Sequence, residues 1–286
     1  MKTSTHKLSN GIALTLNVPE NTTQNPTIIL CHGFCGIREI LLPDFAKAFT
    51  SAGFTTITFD YRGFGDSDGE RGRLVPAMQV DDIISVINWA KEQPEIDSQR
   101  IGLWGTSLGG GHVINAAVRD MDIKCIVSQL AFSDGEKVIT RDMNETDKAA
   151  FLSSLNKIAQ KQNNTGKEMM VGVTRVLSDA ESKMFFEKNR EKFPKMDIKI
   201  PFLTVKEMLQ YKPGMNASHL SCPTLIVIAG KDIVNPPEEG RSLFDAIGSK
   251  VKRLYEVKNS CHYDIYFGEK FKEVIKIQTE WFKTHL

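Results

Sequence analysis

The chain of 286 residues is 41% hydrophobic and 25% charged, and its 36 Lys+Arg against 35 Asp+Glu give a formal net charge of +1. These proportions exclude a disordered, collagen-like or small disulfide-stapled protein. They also offer no electrostatic case for nucleic acid or an anionic membrane as a partner.

The first sixteen residues hold no apolar run long enough for a signal peptide, and Asn10-Gly11 interrupts them with a turn. No stretch approaches the ~18 apolar residues of a membrane span. The five cysteines (Cys31, Cys35, Cys125, Cys222 and Cys261) are odd in number and mostly lie on or beside apolar strand-like segments. They read as free, buried thiols in a reducing compartment, and a cytoplasmic protein is expected.

After Asn10-Gly11, Ile12, Leu14, Leu16 and Val18 alternate with Ala13, Thr15 and Asn17, the period of a strand entered through a tight turn. Short, almost continuously apolar runs follow at 27–31, 55–59, 101–104, 124–130 and 224–229, and 251–257 is strand-like. Runs of that kind suit strands covered on both faces, as in a parallel sheet. Between them, 41–52, 80–90 and 108–118 carry apolar residues three and four apart, the helical period. A last helix over about 269–285 places Phe271, Val274, Ile275, Trp281 and Phe282 on one stripe. Strands alternating with helices predict an α/β fold with a mainly parallel central sheet.

The alternation stops near Asp134. From there to about His219 the chain is polar and helix-prone, holding seven of the ten methionines and four of the 21 glycines. The expected division is a core over 1–133, a helical cap inserted at 134–218, and the rest of the core over 219–286.

Gly105-Thr106-Ser107-Leu108-Gly109 fits G-x-S-x-G, the nucleophile-elbow pattern, but so does Gly65-Asp66-Ser67-Asp68-Gly69. Context separates them. Ser107 directly follows a buried run and directly precedes a helical pattern, the strand–turn–helix setting that an elbow needs. Ser67 has neither neighbour and sits between two carboxylates that oppose an oxyanion. Ser107 is the candidate nucleophile.

A serine needs a base, usually an oriented imidazole. Among six histidines, His262 stands in a loop after the 251–257 strand, where open α/β sheets place catalytic groups. The imidazole needs an acid to hold its tautomer. Asp232 follows the 224–229 strand, and Asp134 is its rival. Ser107, Asp232 and His262 then fall in the chain order expected with this elbow. Cys31-His32-Gly33-Phe34-Cys35-Gly36 closes the second buried run, and the amides of Phe34 and Leu108 could form an oxyanion hole there. A glycine-rich turn joining strand to helix is the plainer alternative. No phosphate loop, dinucleotide fingerprint or metal-ligand spacing appears, so no cofactor and no metal are expected.

With these pieces in place the chain resembles the α/β-hydrolase superfamily. Within it, it is similar to bacterial serine hydrolases related to dienelactone hydrolase and X-prolyl peptidase-like esterases. The residues that carry the likeness are His32-Gly33-Phe34, the run 59–69, the run 100–110, Gly230-Lys231-Asp232 and His262-Tyr263-Asp264. It covers roughly 8–132 and 220–286. The resemblance implies that Ser107, Asp232 and His262 are nucleophile, acid and base, and that 60–69 is a structural loop. Cys35 departs from the small or polar residues usual at its place.

The resulting expectation is a serine hydrolase that cleaves a carboxylic ester or thioester of a small hydrophobic substrate. The same triad also serves C–C bond hydrolases, peptidases and acyltransferases. Cap methionines such as Met169, Met184 and Met208 either line the site or only pack the cap helices together. A homodimer is left open.

Overall fold

Strands that are apolar at every position must be covered on both faces, and the order of elements achieves this. The computed structural model describes residues 1–20 and 23–286. The chain runs β1 (Lys2–Lys7), β2 (Ala13–Val18), β3 (Asn25–Cys31), α1 (Leu42–Ser51), β4 (Thr55–Phe59) and α2 (Pro76–Lys91). Then come β5 (Ile96–Thr106), α3 (Leu108–Arg119) and β6 (Cys125–Gln129). A long excursion follows: α4 (Gly135–Thr140), α5 (Glu145–Thr165), β7 (Met170–Gly172), α6 (Ala180–Asn189), β8 (Lys199–Pro201) and α7 (Thr204–Gln210). The chain returns through β9 (Thr224–Ala229), α8 (Pro237–Ala246), β10 (Lys252–Val257) and α9 (Gly268–His285).

Eight strands form one sheet in the order β1-β2-β4-β3-β5-β6-β9-β10. β1 and β2 pair antiparallel, as do β2 and β4, and every other neighbouring pair is parallel. Alternate residues of each buried strand serve opposite faces. Ile29, Ile57, Leu103, Ile126 and Ile226 pack with Ile83 and Val86 of α2, Val113 and Ile114 of α3 and Leu243 of α8. Ile28, Leu30, Trp104, Val127 and Leu225 pack with Phe45 and Phe49 of α1 and Val274 and Phe282 of α9. This is the mainly parallel, helix-flanked sheet that the apolar runs predict.

Two features differ from the reading of the sequence. β1 (KTSTHK) is polar and mostly exposed, with no apolar alternation to announce it. It exists because the backbone of β2 offers a free edge, and its terminal lysines keep that edge from templating further strands. The excursion over 134–218 is not wholly helical either, because β7 and β8 pair as a small antiparallel ribbon. Its longest helix, α5, buries only Leu155. Asn144 caps α5 by accepting from the Asp147 N–H, and Gly166 closes it at φ 65°. Among the described residues no helix is long and apolar enough to cross a membrane.

His112, on α3, anchors the excursion's return to the core. Its Nδ1 lies 2.7 Å from the Tyr211 hydroxyl and its Nε2 lies 2.8 Å from Gln79 Oε1. The ring is fully buried, and burial pushes its pKa down to about 3 from an ordinary 6.5. An unfolded histidine takes up its proton below pH 6.5 while the buried one does not, so stability is lost as pH falls from 6.5 toward 3. His112→Gln should therefore remove ~2 kcal/mol of the stability lost between pH 7 and pH 5 in denaturant unfolding. An unchanged pH slope in that variant would contradict a buried neutral ring.

Candidate active site

Ser107 occupies the turn between β5 and α3 with φ 56° and ψ −122°, a conformation that a residue with a Cβ rarely adopts. The turn is held from both sides. The Ser107 N–H donates to Gln129 O of β6 at 2.8 Å. A Cβ on Gly105 would lie 2.2 Å from Gly109 O, and one on Gly109 would lie 2.4 Å from His32 O. The two glycines of the motif thus let β3, β5 and α3 approach closely enough to lift Ser107 off the sheet.

The other predicted groups all follow parallel strands at their C-terminal ends: Phe34 after β3, Asp232 after β9 and His262 after β10. The structure brings Asp232 and His262 together. His262 Nδ1 donates to Asp232 Oδ2 at 2.7 Å, and both side chains are almost completely buried. Asp232 Oδ1 accepts from the N–H groups of Val234 and Asn235, each at 2.8 Å. A carboxylate held by three donors leaves His262 one tautomer, with Nε2 unprotonated. His262 and Ser107 line the same cavity.

Ser107 Oγ, however, is not hydrogen-bonded to His262 among the described residues. It accepts instead from Asn235 Nδ2 at 3.2 Å. The same Nδ2 donates to Leu130 O at 2.7 Å. A carbonyl can only accept, so Leu130 fixes which way the Asn235 amide points. Oγ keeps its own hydrogen free for a base, and catalytic contacts of this kind often close only when substrate binds. Asn235 escaped the sequence reading. Its signal was its place three residues after the acid, immediately before Pro236.

The loop after β3 is shaped by His32. Gly33 N–H donates to its Nδ1 at 2.8 Å, and its Nε2 donates to Ile40 O at 2.9 Å. Burial pushes its pKa down to about 4, which keeps the ring neutral. A Cβ on Gly33 would lie 3.1 Å from Ser107 Cβ, so this loop rests on the elbow. Among the described residues no hydrogen bond uses the N–H of Phe34 or Leu108. Cys35 has φ 52° and both lines the cavity and packs in the core. Burial raises its thiol far above the ordinary range, so it stays protonated.

The excursion closes over this arrangement through α6. Asp179 caps that helix, accepting from Ser182 N–H at 2.8 Å. Glu181 Oε2 then accepts from the His262 backbone N–H at 3.1 Å. The Tyr263 hydroxyl donates to Ser182 Oγ at 3.1 Å, and Phe185 stacks on the Tyr263 ring at 4.3 Å between centroids. Burial, followed by the charge of Asp232, raises the Glu181 carboxyl above its ordinary value. Three successive contacts therefore tie the His262 loop to α6.

The rival readings find other employment. Ser67 is buried, donating to Asp60 O at 2.5 Å and accepting from Ala13 N–H at 2.8 Å, so it holds a structural loop. Asp134 caps α4 and pairs with Lys212 at 3.2 Å. Two cavities meet at Ser107, with volumes of about 70 Å³ on the His262 side and about 250 Å³ on the Asn235 side.

Residues 26–269 match the family model described as the alpha/beta hydrolase fold. A 31.7 kDa protein of the traX–finO intergenic region of Escherichia coli is 68% identical over 286 residues, all of both chains. The thiohydrolase aneE of Aspergillus aculeatus is 30% identical over 270 residues, which are 90% of this chain and 84% of that one. Among solved structures, DcsB in complex with its substrate analogue superposes with a TM-score of 0.84 at 26% identity, over 100% of this chain and 99% of that one. None of these three carries the name of a dienelactone hydrolase, the narrower likeness expected above. The matched span, the sheet order and the elbow agree, and the chain belongs to the alpha/beta hydrolase family.

Proposed function

We propose that this alpha/beta hydrolase is a serine hydrolase that cleaves a carboxylic ester or thioester through an acyl-enzyme. The observation that carries the reading is the buried 2.7 Å pairing of His262 with Asp232, opening onto the cavity that Ser107 lines from its elbow. The likeness to a protein named a thiohydrolase supports the same bond class.

In this reading Ser107 Oγ attacks the substrate carbonyl while His262 Nε2 takes its proton. Asp232 holds Nδ1–H and stabilises the imidazolium. The N–H groups of Phe34 and Leu108 receive the developing oxyanion, and one such donor is worth ~3–4 kcal/mol of barrier. His262 then protonates the leaving group, and water attacks the acyl-enzyme in a mirrored second half. Asn235 Nδ2 would follow Oγ through both halves, supporting it when it leaves as an alkoxide. The acyl-enzyme is common to hydrolysis and acyl transfer, and the acceptor that reaches it decides between them.

Ser107→Ala should abolish fluorophosphonate labelling and lower ester turnover by about 10⁴-fold. Labelling that survives the substitution would remove Ser107 as nucleophile. Asn235→Ala, and Asn235→Asp, which is isosteric but cannot donate, should each lower kcat by roughly 5–20-fold with KM little changed. Steady-state kinetics on one ester reads both parameters, and a full kcat in either variant would show the contact to be inert.

A further inference from the structure

The two cavities that meet at Ser107 are not equivalent. His262 lines the smaller one together with Tyr263 and Tyr266, and it does not line the larger one. The larger cavity instead passes Leu108 and Asn235. Ser107, Phe34, Leu177 and Val234 border both.

Proton transfer needs contact within hydrogen-bond reach. In acyl transfer to Ser107, the Oγ–carbonyl bond forms, the bond from the carbonyl carbon to the leaving oxygen or sulfur breaks, and His262 delivers the proton to that atom. The leaving group must therefore lie in the arm that contains His262. With the carbonyl carbon tethered at Ser107, the acyl substituent has the other arm. We propose, resting on the serine hydrolase reading, that the larger cavity is the acyl arm and that the enzyme takes acyl groups well beyond acetyl, alkyl or aryl in character.

The walls support that class. Phe132, Val138, Ile139, Phe202, Val205 and Met208 line the larger cavity. All six are apolar, and its one charged lining residue among those described, Arg175, is exposed. A guanidinium in water marks the mouth of the arm and adds nothing polar to its depth. Five of the six wall residues, all but Phe132, come from α4, α7 and the turn of chain just before α7 and sit in the excursion over 134–218. The insertion, not the sheet, thus sets acyl length.

The test is a ladder of p-nitrophenyl esters from acetyl to octanoyl on the full-length protein, where the leaving group is constant. The value of kcat/KM should rise about fourfold per methylene until the arm is filled, the fold-change expected for moving one methylene out of water. Met208→Trp and Val138→Trp should each lower the octanoyl-to-acetyl ratio of kcat/KM at least tenfold. A flat or falling ladder in the unsubstituted enzyme would overturn the assignment, as would tryptophan variants that fold and keep the ratio. The Ser107→Ala variant separates the two claims. If that variant still turns over the acetyl ester, the serine reading fails; a flat ladder whose turnover it abolishes sinks the acyl arm alone.

Discussion

A side chain with a Cβ held at φ 56° and ψ −122° is the constraint around which the rest of the site is arranged. A conformation of that kind costs roughly 1–3 kcal/mol and persists only where neighbours over-determine it. Here the neighbours are two glycines without room for a Cβ, a hydrogen bond from Ser107 N–H to β6, and the β3 loop resting on the turn. Cys35, Leu41 and Leu130 also have positive φ, and each borders the site: Cys35 and Leu41 line the smaller cavity, and Leu130 O anchors Asn235. Backbone strain is thus found at the Ser107 turn and in the segments that border it.

The remaining parts follow from strand order. β3, β5, β9 and β10 run parallel, so the loops carrying Phe34, Ser107, Asp232 and His262 all leave the same edge of the sheet. Packing on both faces makes that edge rigid, because β3, β5, β6 and β9 each have apolar partners above and below. The excursion adds a different kind of support. Glu181, Ser182 and Phe185 of α6 grip His262 and Tyr263 from outside the sheet, so the orientation of the imidazole depends on an element with few buried residues of its own. Elements of low local stability are where opening and closing are usually found.

Much of this was legible in the residues. Continuous apolar runs marked the parallel strands because burial on both faces removes the alternation, and Ser107 was separable from Ser67 because only one of them joins a buried run to a helical period. Asp232 and His262 were placed by their positions after strands. β1 was not legible, because its pairing uses backbone groups and its side chains face water. The β7–β8 ribbon, three residues on each side, is too short to show a period. The contact of Asn235 with Ser107 spans 128 positions, and that of Glu181 with His262 spans 81, so only the fold could reveal them. Local pattern reports which face a residue buries, whereas a site is made by loops meeting across the sheet.

The central claim is that Ser107 becomes acylated, and it can be observed directly. Rapid-quench intact-mass spectrometry during turnover of a slowly hydrolysed ester should show the chain gaining the mass of the acyl group. Fragmentation should place that mass on Ser107. An adduct on Ser67 or Cys35, or turnover with no covalent adduct under conditions where deacylation is slow, would contradict the account.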